Sequence, residues 1–295
     1  QIDTHKVNIN VTPNSLGPLI FTDLDGTLLD HDSYSSKLAY PALAYCQMLE
    51  IPVIPTTSKT FAELLPIRSA LNLDGPFIVE NGAAVYIPKK LGMQFTPALE
   101  DKGDYWCYSM APKRAKWIEI IQRLSTDFAG EFTHFSAMKT PEIVTATGLT
   151  YPQAQLAKQR EYGEPVLWLS TEQRKIEFIE AAILMGASPI EGGRFIHING
   201  SSDKATAMQW LHQQYEQHFN NKRFVTVALG DGPNDTTMLN NATYAAQIRS
   251  PAHDFPLLTR NEKQAAYQSK LPGPAGWNEY ITTQLLSIQK DIFYG

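Results

Sequence analysis

The stretch Pro18-Leu19-Ile20-Phe21-Thr22-Asp23-Leu24-Asp25-Gly26-Thr27-Leu28-Leu29-Asp30 decides how this chain is read. It begins as an apolar strand and breaks into two aspartates separated by one leucine. Two like charges at the end of a buried strand repel, so other residues must bring a neutralising partner to the same place. Gly26 permits a tight turn just after them.

Outward from that strand the first ninety residues alternate strand and helix. Residues 36–50 read as a helix with Pro41 near its start, and residues 52–55 as a second strand. A helix over 60–72 carries Pro66, which should kink or split it. Residues 76–79 make a third strand, and Asn81-Gly82 is a hairpin signal before a strand at 84–87. This alternation indicates a parallel sheet covered on both faces. Between about residues 89 and 193 the pattern changes to lone strands (105–110, 166–170) among helices (112–126, 151–160, 171–184), which suggests an inserted α+β unit. The first pattern resumes with a strand at 194–199 and a helix at 202–218. A buried strand at 224–229 then leads into Gly230-Asp231-Gly232-Pro233-Asn234-Asp235, followed by a short helix, a strand at 244–248 and a tail helix at 276–290. The expected division is a core of 1–88 with 194–295 and an insertion of 89–193.

The bulk numbers narrow the function classes. A net charge of −5 over 295 residues gives no support for nucleic-acid or anionic-membrane binding. No apolar run approaches a membrane span, and the start Gln1-Ile2-Asp3-Thr4-His5 lacks the basic and apolar regions of a signal peptide. The cytoplasm is the expected compartment, and Cys46 and Cys107 are expected to be free thiols. Nothing in the composition selects an oligomeric state.

In an open parallel sheet, ligands bind beyond the carboxyl ends of the strands. Asp23 and Asp25 follow the first strand, Thr56-Thr57-Ser58-Lys59 the second, and Asp231, Asn234 and Asp235 the buried strand, while Lys204 opens a helix. An oxygen-rich carboxylate cluster suits Mg²⁺, a hard ion that accepts carboxylates together with substrate phosphate. Lys204 can add positive charge for that phosphate, and Thr57 and Ser58 can add hydroxyl or backbone donors. The set points to metal-assisted phosphoryl transfer to an aspartate. One carboxylate would attack phosphorus; the other would protonate the leaving alcohol and later deprotonate water. Singly, each piece has a plainer reading: Asp-x-Asp as a solvated turn, the GDGPND segment as an Asx turn, and Lys204 as a surface lysine.

Together these residues resemble the haloacid dehalogenase (HAD) superfamily of phosphotransferases, through Asp23–Thr27, Thr57, Lys204 and Gly230–Asp235. The resemblance implies an α/β fold with a HAD-like Rossmannoid core and parallel sheet, and makes the insertion a mobile α+β cap of the sugar-phosphatase (Cof-like) branch. Thr57-Ser58-Lys59-Thr60 and the segment PFIVENGAA (76–84) look like mannosyl-3-phosphoglycerate phosphatases, as do Thr147-Gly148-Leu149, residues 157–165 and Gly192-Gly193-Arg194-Phe195. Carried over, Asp23 is the nucleophile and Asp25 the general acid/base. Asp23, the Asp25 carbonyl and Asp231 hold Mg²⁺, with Asn234 and Asp235 supporting, and Thr57, Ser58 and Lys204 hold the phosphate.

For the cap, Arg160 with Glu164 and Arg194 with His197 are candidates to meet a glycerate carboxylate and sugar hydroxyls. The plainer readings are an exposed i,i+4 pair for Arg160 and Glu164 and a core histidine for His197. Lys59 would orient Glu80 or Asp231, or be solvated. The alternatives to a glycosyl-phosphoglycerate phosphatase are a general sugar-phosphate phosphatase, a phosphomannomutase-like transferase, and a non-catalytic binding module. The module should have lost a motif residue, and none is lost.

Overall fold

The computed structural model describes residues 15–95, 99–220 and 223–294, so the expectation resting on Gln1–His5 lies outside the described residues. Along the chain run β1 (Ser15–Thr22), α1 (Tyr40–Met48), β2 (Val53–Pro55), α2 (Phe61–Ala70), β3 (Phe77–Val79), β4 (Ala84–Pro88), β5 (Glu100–Lys102) and β6 (Tyr105–Ser109). Next come α3 (Arg114–Leu124), β7 (Phe132–His134), α4 (Thr140–Thr147), α5 (Tyr151–Ala157), β8 (Gly163–Trp168), α6 (Glu172–Leu184), β9 (Ile190–Gly192) and β10 (Phe195–Asn199). The last third holds α7 (Lys204–His218), β11 (Arg223–Gly230), α8 (Thr236–Asn241), β12 (Tyr244–Arg249), β13 (Tyr267–Pro272) and α9 (Gly273–Tyr294).

The central sheet has the order β13-β12-β11-β1-β2, with every pairing parallel. Its strands are apolar on both faces because both faces are covered. Ile20, Val53, Val227 and Leu229 pack on α1, α2 and α9, while Leu19, Phe21, Ile54 and Ala228 pack on α7 and α8. Trp277, Tyr280, Ile281, Leu285 and Ile288 lie at helical spacing on α9 and face the first of these clusters. Cys46 and Cys107 are both buried and free. Among the described residues, no helix is long and apolar enough to cross a membrane.

Two further sheets are antiparallel, with orders β3-β4-β6-β5 and β7-β8-β10-β9. Their pairing shows which neighbours the strands near the expected edges of the insertion take. β5 and β6 extend the hairpin of β3 and β4, so residues 100–109 lie with the core. β10, expected to resume the parallel pattern, pairs antiparallel with β8 and β9. The alternation of buried Ile196 and Ile198 marks a strand without stating its partner. The insertion's own core lies on both sides of the second sheet: Trp117, Ile121 and Phe178 against one face, Ile143, Ala154 and Leu167 against the other.

Pro66 does not split its helix, since α2 runs through it. The Thr60–Glu63 capping box fixes the first turn, and buried Leu64 with Phe61 ties the helix to the core.

Candidate active site

Strand register brings the sequence motifs to one edge of the central sheet. Thr22 pairs with Leu229 on one side and with Pro55 on the other, so Asp23, Asp231 and Thr56-Thr57 follow at the same level. The Asp23 N–H donates to Leu229 O at 3.0 Å, and the Thr56 N–H to Thr22 O at 2.7 Å. The Trp277 indole N–H donates to the Thr22 hydroxyl at 3.0 Å and braces the strand end from α9. Beyond Asp23 the chain turns on itself: the Thr27 and Leu29 N–H groups both donate to Leu24 O, and fully buried Leu24 and Leu28 anchor the loop. Gly26 has φ of +79°, and a Cβ there would stand 2.6 Å from Asp231 Oδ2. The turn closes on Asp231 only because that position is glycine.

The neutralising partner for Asp23 is Lys204. Its ammonium, fully buried, lies 3.0 Å from Asp23 Oδ1 and 2.7 Å from Asp235 Oδ1. Asp235 Oδ2 accepts the Asp231 and Gly232 N–H groups at 3.0 Å each. The Thr27 hydroxyl donates to Asp231 Oδ1 at 2.8 Å. Burial pushes Asp23 up to about 6, with Lys204 pulling the other way and Asp231 adding to the rise. Asp235 is likewise pushed up to about 6 by burial and by Asp23, against Lys204. Asp231 is raised by burial. Burial also works against the charge on Lys204, but the two carboxylates overcome it and hold its pKa above the ordinary lysine value.

Three buried carboxylates thus cluster around an ammonium that pairs with two of them, Asp23 and Asp235. Asp23, Asp231 and Asp235 each offer an oxygen, and these oxygens lie within 4.8 Å of one another. Asp235 already spends both oxygens on Lys204 and the two amides, whereas Asp23 and Asp231 retain lone pairs. The surplus negative charge and all-oxygen donor set fit a hard divalent cation held chiefly by Asp23 and Asp231.

Lys204→Met should leave two adjacent buried carboxylates without a counter-charge. We expect a loss of about 3–5 kcal/mol in stability, smaller at pH 5 than at pH 8 because the carboxylates can then take up protons. Chemical denaturation at the two pH values measures it; a variant as stable as the parent at pH 8 would show that Lys204 does not carry the charge balance.

Asp25 lies on the open side of the site. Lys59 Nζ pairs with its Oδ2 at 3.0 Å, while Asp25 Oδ1 is buried without a hydrogen-bond partner. Lys59 therefore serves neither Glu80 nor Asp231, the two partners the sequence suggested. The Thr57 hydroxyl accepts the Lys59 N–H at 3.0 Å, and the Thr57 carbonyl accepts the Asn81 N–H at 2.9 Å, which staples the loop after β2 to the turn between β3 and β4. That turn holds Glu80, Asn81 and Gly82 all at positive φ. It backs onto the Asp203 carbonyl so closely that a Cβ on Gly82 would overlap it. Asn234 does not touch the carboxylates; its Nδ2 donates to Asn81 Oδ1 at 3.1 Å. His253, which the motif reading passed over, stands 3.6 Å from Asp231 Oδ2 on the loop after β12.

The cap candidates separate. Glu164 is fully buried in β8, where Arg114 donates to it at 2.7 and 3.2 Å and Ser136 through its N–H at 2.8 Å and its hydroxyl at 2.6 Å. Burial alone would raise its pKa, but the His134 ring 3.5 Å away and the hydrogen bonds from Arg114 and Ser136 bring it down to about 2. It is neither the partner of Arg160 nor half of an exposed helix pair, because α5 ends at Ala157 and the two residues lie beyond it on a loop and a strand. Arg160 instead faces the core, its Nε 3.5 Å from Glu80 Oε1. Glu80 also accepts the N–H groups of Glu161 at 2.9 Å and Tyr162 at 3.3 Å, so one buried core carboxylate docks the segment 160–162 of the insertion. Arg160, His197, Ser58, Glu80 and Asn81 line one cavity of ≈ 250 Å³ at the seam. Arg194 is exposed in the turn between β9 and β10, outside that lining.

The pattern of a haloacid dehalogenase-like hydrolase matches residues 20–102. A glucosyl-3-phosphoglycerate/mannosyl-3-phosphoglycerate phosphatase of Methanococcoides burtonii is 35% identical over 268 residues, spanning 89% of this chain and 95% of its own. One of the same name from Persephonella marina is 34% identical over 281 residues, spanning 92% and 98%. A solved structure from Thermotoga maritima shares the fold, with a TM-score of 0.61 at 16% identity over 90% of this chain and 97% of that one. Identity at that level over nearly the whole length, joined to a carboxylate and lysine site at the strand ends, makes the chain a phosphatase of the haloacid dehalogenase-like hydrolases, in the family of the glucosyl-3-phosphoglycerate/mannosyl-3-phosphoglycerate phosphatases.

Proposed function

We propose that this phosphatase hydrolyses the phosphomonoester of a glycosylated 3-phosphoglycerate, with mannose or glucose as the sugar, through an aspartyl phosphate on Asp23. The observation that carries the reading is the Asp23 carboxylate held against buried Lys204, with Asp25 beside it on an ion pair to Lys59. An Asp23 oxygen attacks phosphorus, and the bond from phosphorus to the ester oxygen breaks. Asp25 delivers a proton to the departing alkoxide, then takes one from the water that attacks the acyl phosphate, which regenerates Asp23 and releases inorganic phosphate. Lys204, the Thr57 hydroxyl and the Ser58 amide offset the charge on the transferring group. Asp23, the Asp25 carbonyl and Asp231 would hold Mg²⁺, with Asp235 and Asn234 fixing the surrounding loop; the ion supplies Lewis-acid charge to the phosphate oxygens when bound.

The insertion acts as the cap. The names of the relatives support a glycosyl phosphoglycerate, and Arg160 at the seam is a cation suited to its carboxylate. Arg160 keeps its ion pair with Glu80, but a substrate without a carboxylate leaves its buried Nε–H without an acceptor, and a site built to bond such a group rejects analogues that lack it by a few kcal/mol, on the order of a hundredfold. Mannosyl- or glucosyl-3-phosphoglycerate is therefore expected to exceed mannose 6-phosphate and sucrose phosphate in kcat/KM by about that factor. A phosphate-release screen with Mg²⁺ over these compounds is the test. Preference for plain hexose phosphates would overturn the substrate and leave the phosphatase.

A further inference from the structure

Two residues that line the seam cavity each carry a buried polar atom without a hydrogen-bond partner. Among the described residues, Arg160 Nε and Asn199 Oδ1 are both buried with no hydrogen bond, and both residues line the same ≈ 250 Å³ space. A buried donor and a buried acceptor left open are costly to the empty protein, by about 1–3 kcal/mol each. That cost is recovered by any group that accepts from one and donates to the other, and a substrate with a carboxylate and a hydroxyl can do both. Glu80 Oε1 stands 3.5 Å from Arg160 Nε, an ion pair without a hydrogen bond. Asn199 sits at the end of β10, directly across from Gly163 on β8.

The space between these two groups is kept open by a glycine. A Cβ on Gly163 would stand 3.6 Å from Asn199 Cβ and 3.9 Å from Arg160 Nε, in contact with both. At the other end, Gly192 lies beside His197, whose Nε2 would be 3.4 Å from a Cβ there. Burial, helped by the charge of Arg160, holds His197 down to about 4. The imidazole is thus neutral at physiological pH and adds no second cation. One wall of the cavity carries Ser58 and Asn81 of the phosphate side, the other Asn199 and His197 of the cap.

We infer that the seam cavity is a two-part subsite in which Arg160 takes the carboxylate of a phosphoglycerate and Asn199 takes a hydroxyl of the sugar attached to it. The inference rests on the glycosyl-phosphoglycerate reading above and adds a selection that reading lacks. A plain hexose phosphate leaves the Arg160 Nε–H unmatched, and bare 3-phosphoglycerate leaves Asn199 Oδ1 unmatched. Only the glycoside satisfies both, so the enzyme should refuse 3-phosphoglycerate even though that molecule carries the same phosphate and carboxylate.

The test is the ratio of kcat/KM for glucosyl-3-phosphoglycerate to that for 3-phosphoglycerate. Asn199→Ala should lower the ratio roughly tenfold, the worth of one hydrogen bond, with the loss falling on the glycoside. Gly163→Ala meets only ordinary contacts and should fold, yet it narrows the space between the two groups and should lower the same ratio. Arg160→Ala should depress both carboxylate substrates together and move the ratio less. If neither Asn199→Ala nor Gly163→Ala changes the ratio, with thermal melts confirming folded protein, the subsite is wrong. If the wild type instead prefers hexose phosphates, the phosphoglycerate reading fails by itself. The Asn199 assignment is then judged on glucose 6-phosphate against glycerol 3-phosphate, and falls if Asn199→Ala leaves that ratio unchanged as well.

Discussion

Asp23→Asn is expected to remove phosphate release altogether, a fall on the order of 10⁴-fold or more. The amide keeps the shape of the side chain, so Leu24 and Leu28 should still anchor the loop, but it cannot attack phosphorus. It also leaves Lys204 with Asp235 as its one remaining carboxylate partner at 2.7 Å, which is enough to keep the ammonium paired. The loss should therefore appear in turnover with little change in fold. Asp25→Asn should behave differently. Its partner Lys59 lies on the open side of the site, and the nucleophile is untouched. Phosphoryl transfer to Asp23 should proceed slowly, by about 10² to 10⁴ below the parent, and breakdown of the acyl phosphate should be slower still. Intact-mass analysis of Asp25→Asn after exposure to substrate should show a phosphorylated protein, and Asp23→Asn should show none. Near-normal turnover by Asp23→Asn would rule out covalent catalysis at this residue.

The parts legible in the sequence were those whose physics is local. The strand at Leu19–Thr22 is apolar on both faces because it is buried on both faces, and the same holds for the strand before Gly230. Asp23, Lys204, Asp231 and Asp235 could be picked out because each follows a strand end or opens a helix, where a parallel sheet collects its ligands. Pairing across long sequence distances was not legible. Glu164 looked like a partner for Arg160, four residues away, but a helix ending at Ala157 removes that geometry and Arg114, fifty residues off, takes the carboxylate. Lys59 could have served several acids, and only the folded loop brings it to Asp25. The strand Phe195–Asn199 was visible as a strand, but nothing in its alternation tells an antiparallel neighbour in the cap from a parallel one in the core. Asn81-Gly82 was read as a hairpin signal, which it is, while the contacts of Glu80 to segment 160–162 and of Asn81 to Asn234 depend on the cap and on β11 being in place.

Removal of the metal should have an effect as large as loss of the nucleophile, and should also reach stability. Activity is expected to vanish in EDTA and return with Mg²⁺. In the metal-free protein Asp23 and Asp235 titrate near 6 and Asp231 is raised as well, whereas in the unfolded chain all three ionise near 3.8. Folded-state pKa values above the unfolded ones mean that the contribution of these groups to stability is fully present below about 3.8 and is lost as pH rises through about 6. Lys204 stays charged across that range and balances one carboxylate. At pH 7.5 the empty site therefore carries surplus negative charge, and a divalent cation that binds only the folded form should stabilise it, by about 2.7 kcal/mol at a hundredfold excess over Kd. For a chain of this size that is a rise of several degrees in Tm. At pH 5 protons compete for the same oxygens, so the Mg²⁺-induced rise should shrink. Asp231→Ala should remove most of the rise at pH 7.5 and increase the Mg²⁺ needed for activity, while leaving affinity for the sugar end of the substrate largely intact. Thermal melts with EDTA or Mg²⁺ at both pH values measure this without reference to turnover. Full activity in chelator, or a Tm that Mg²⁺ raises equally at pH 5 and pH 7.5, would mean that the three aspartates are not where the metal acts.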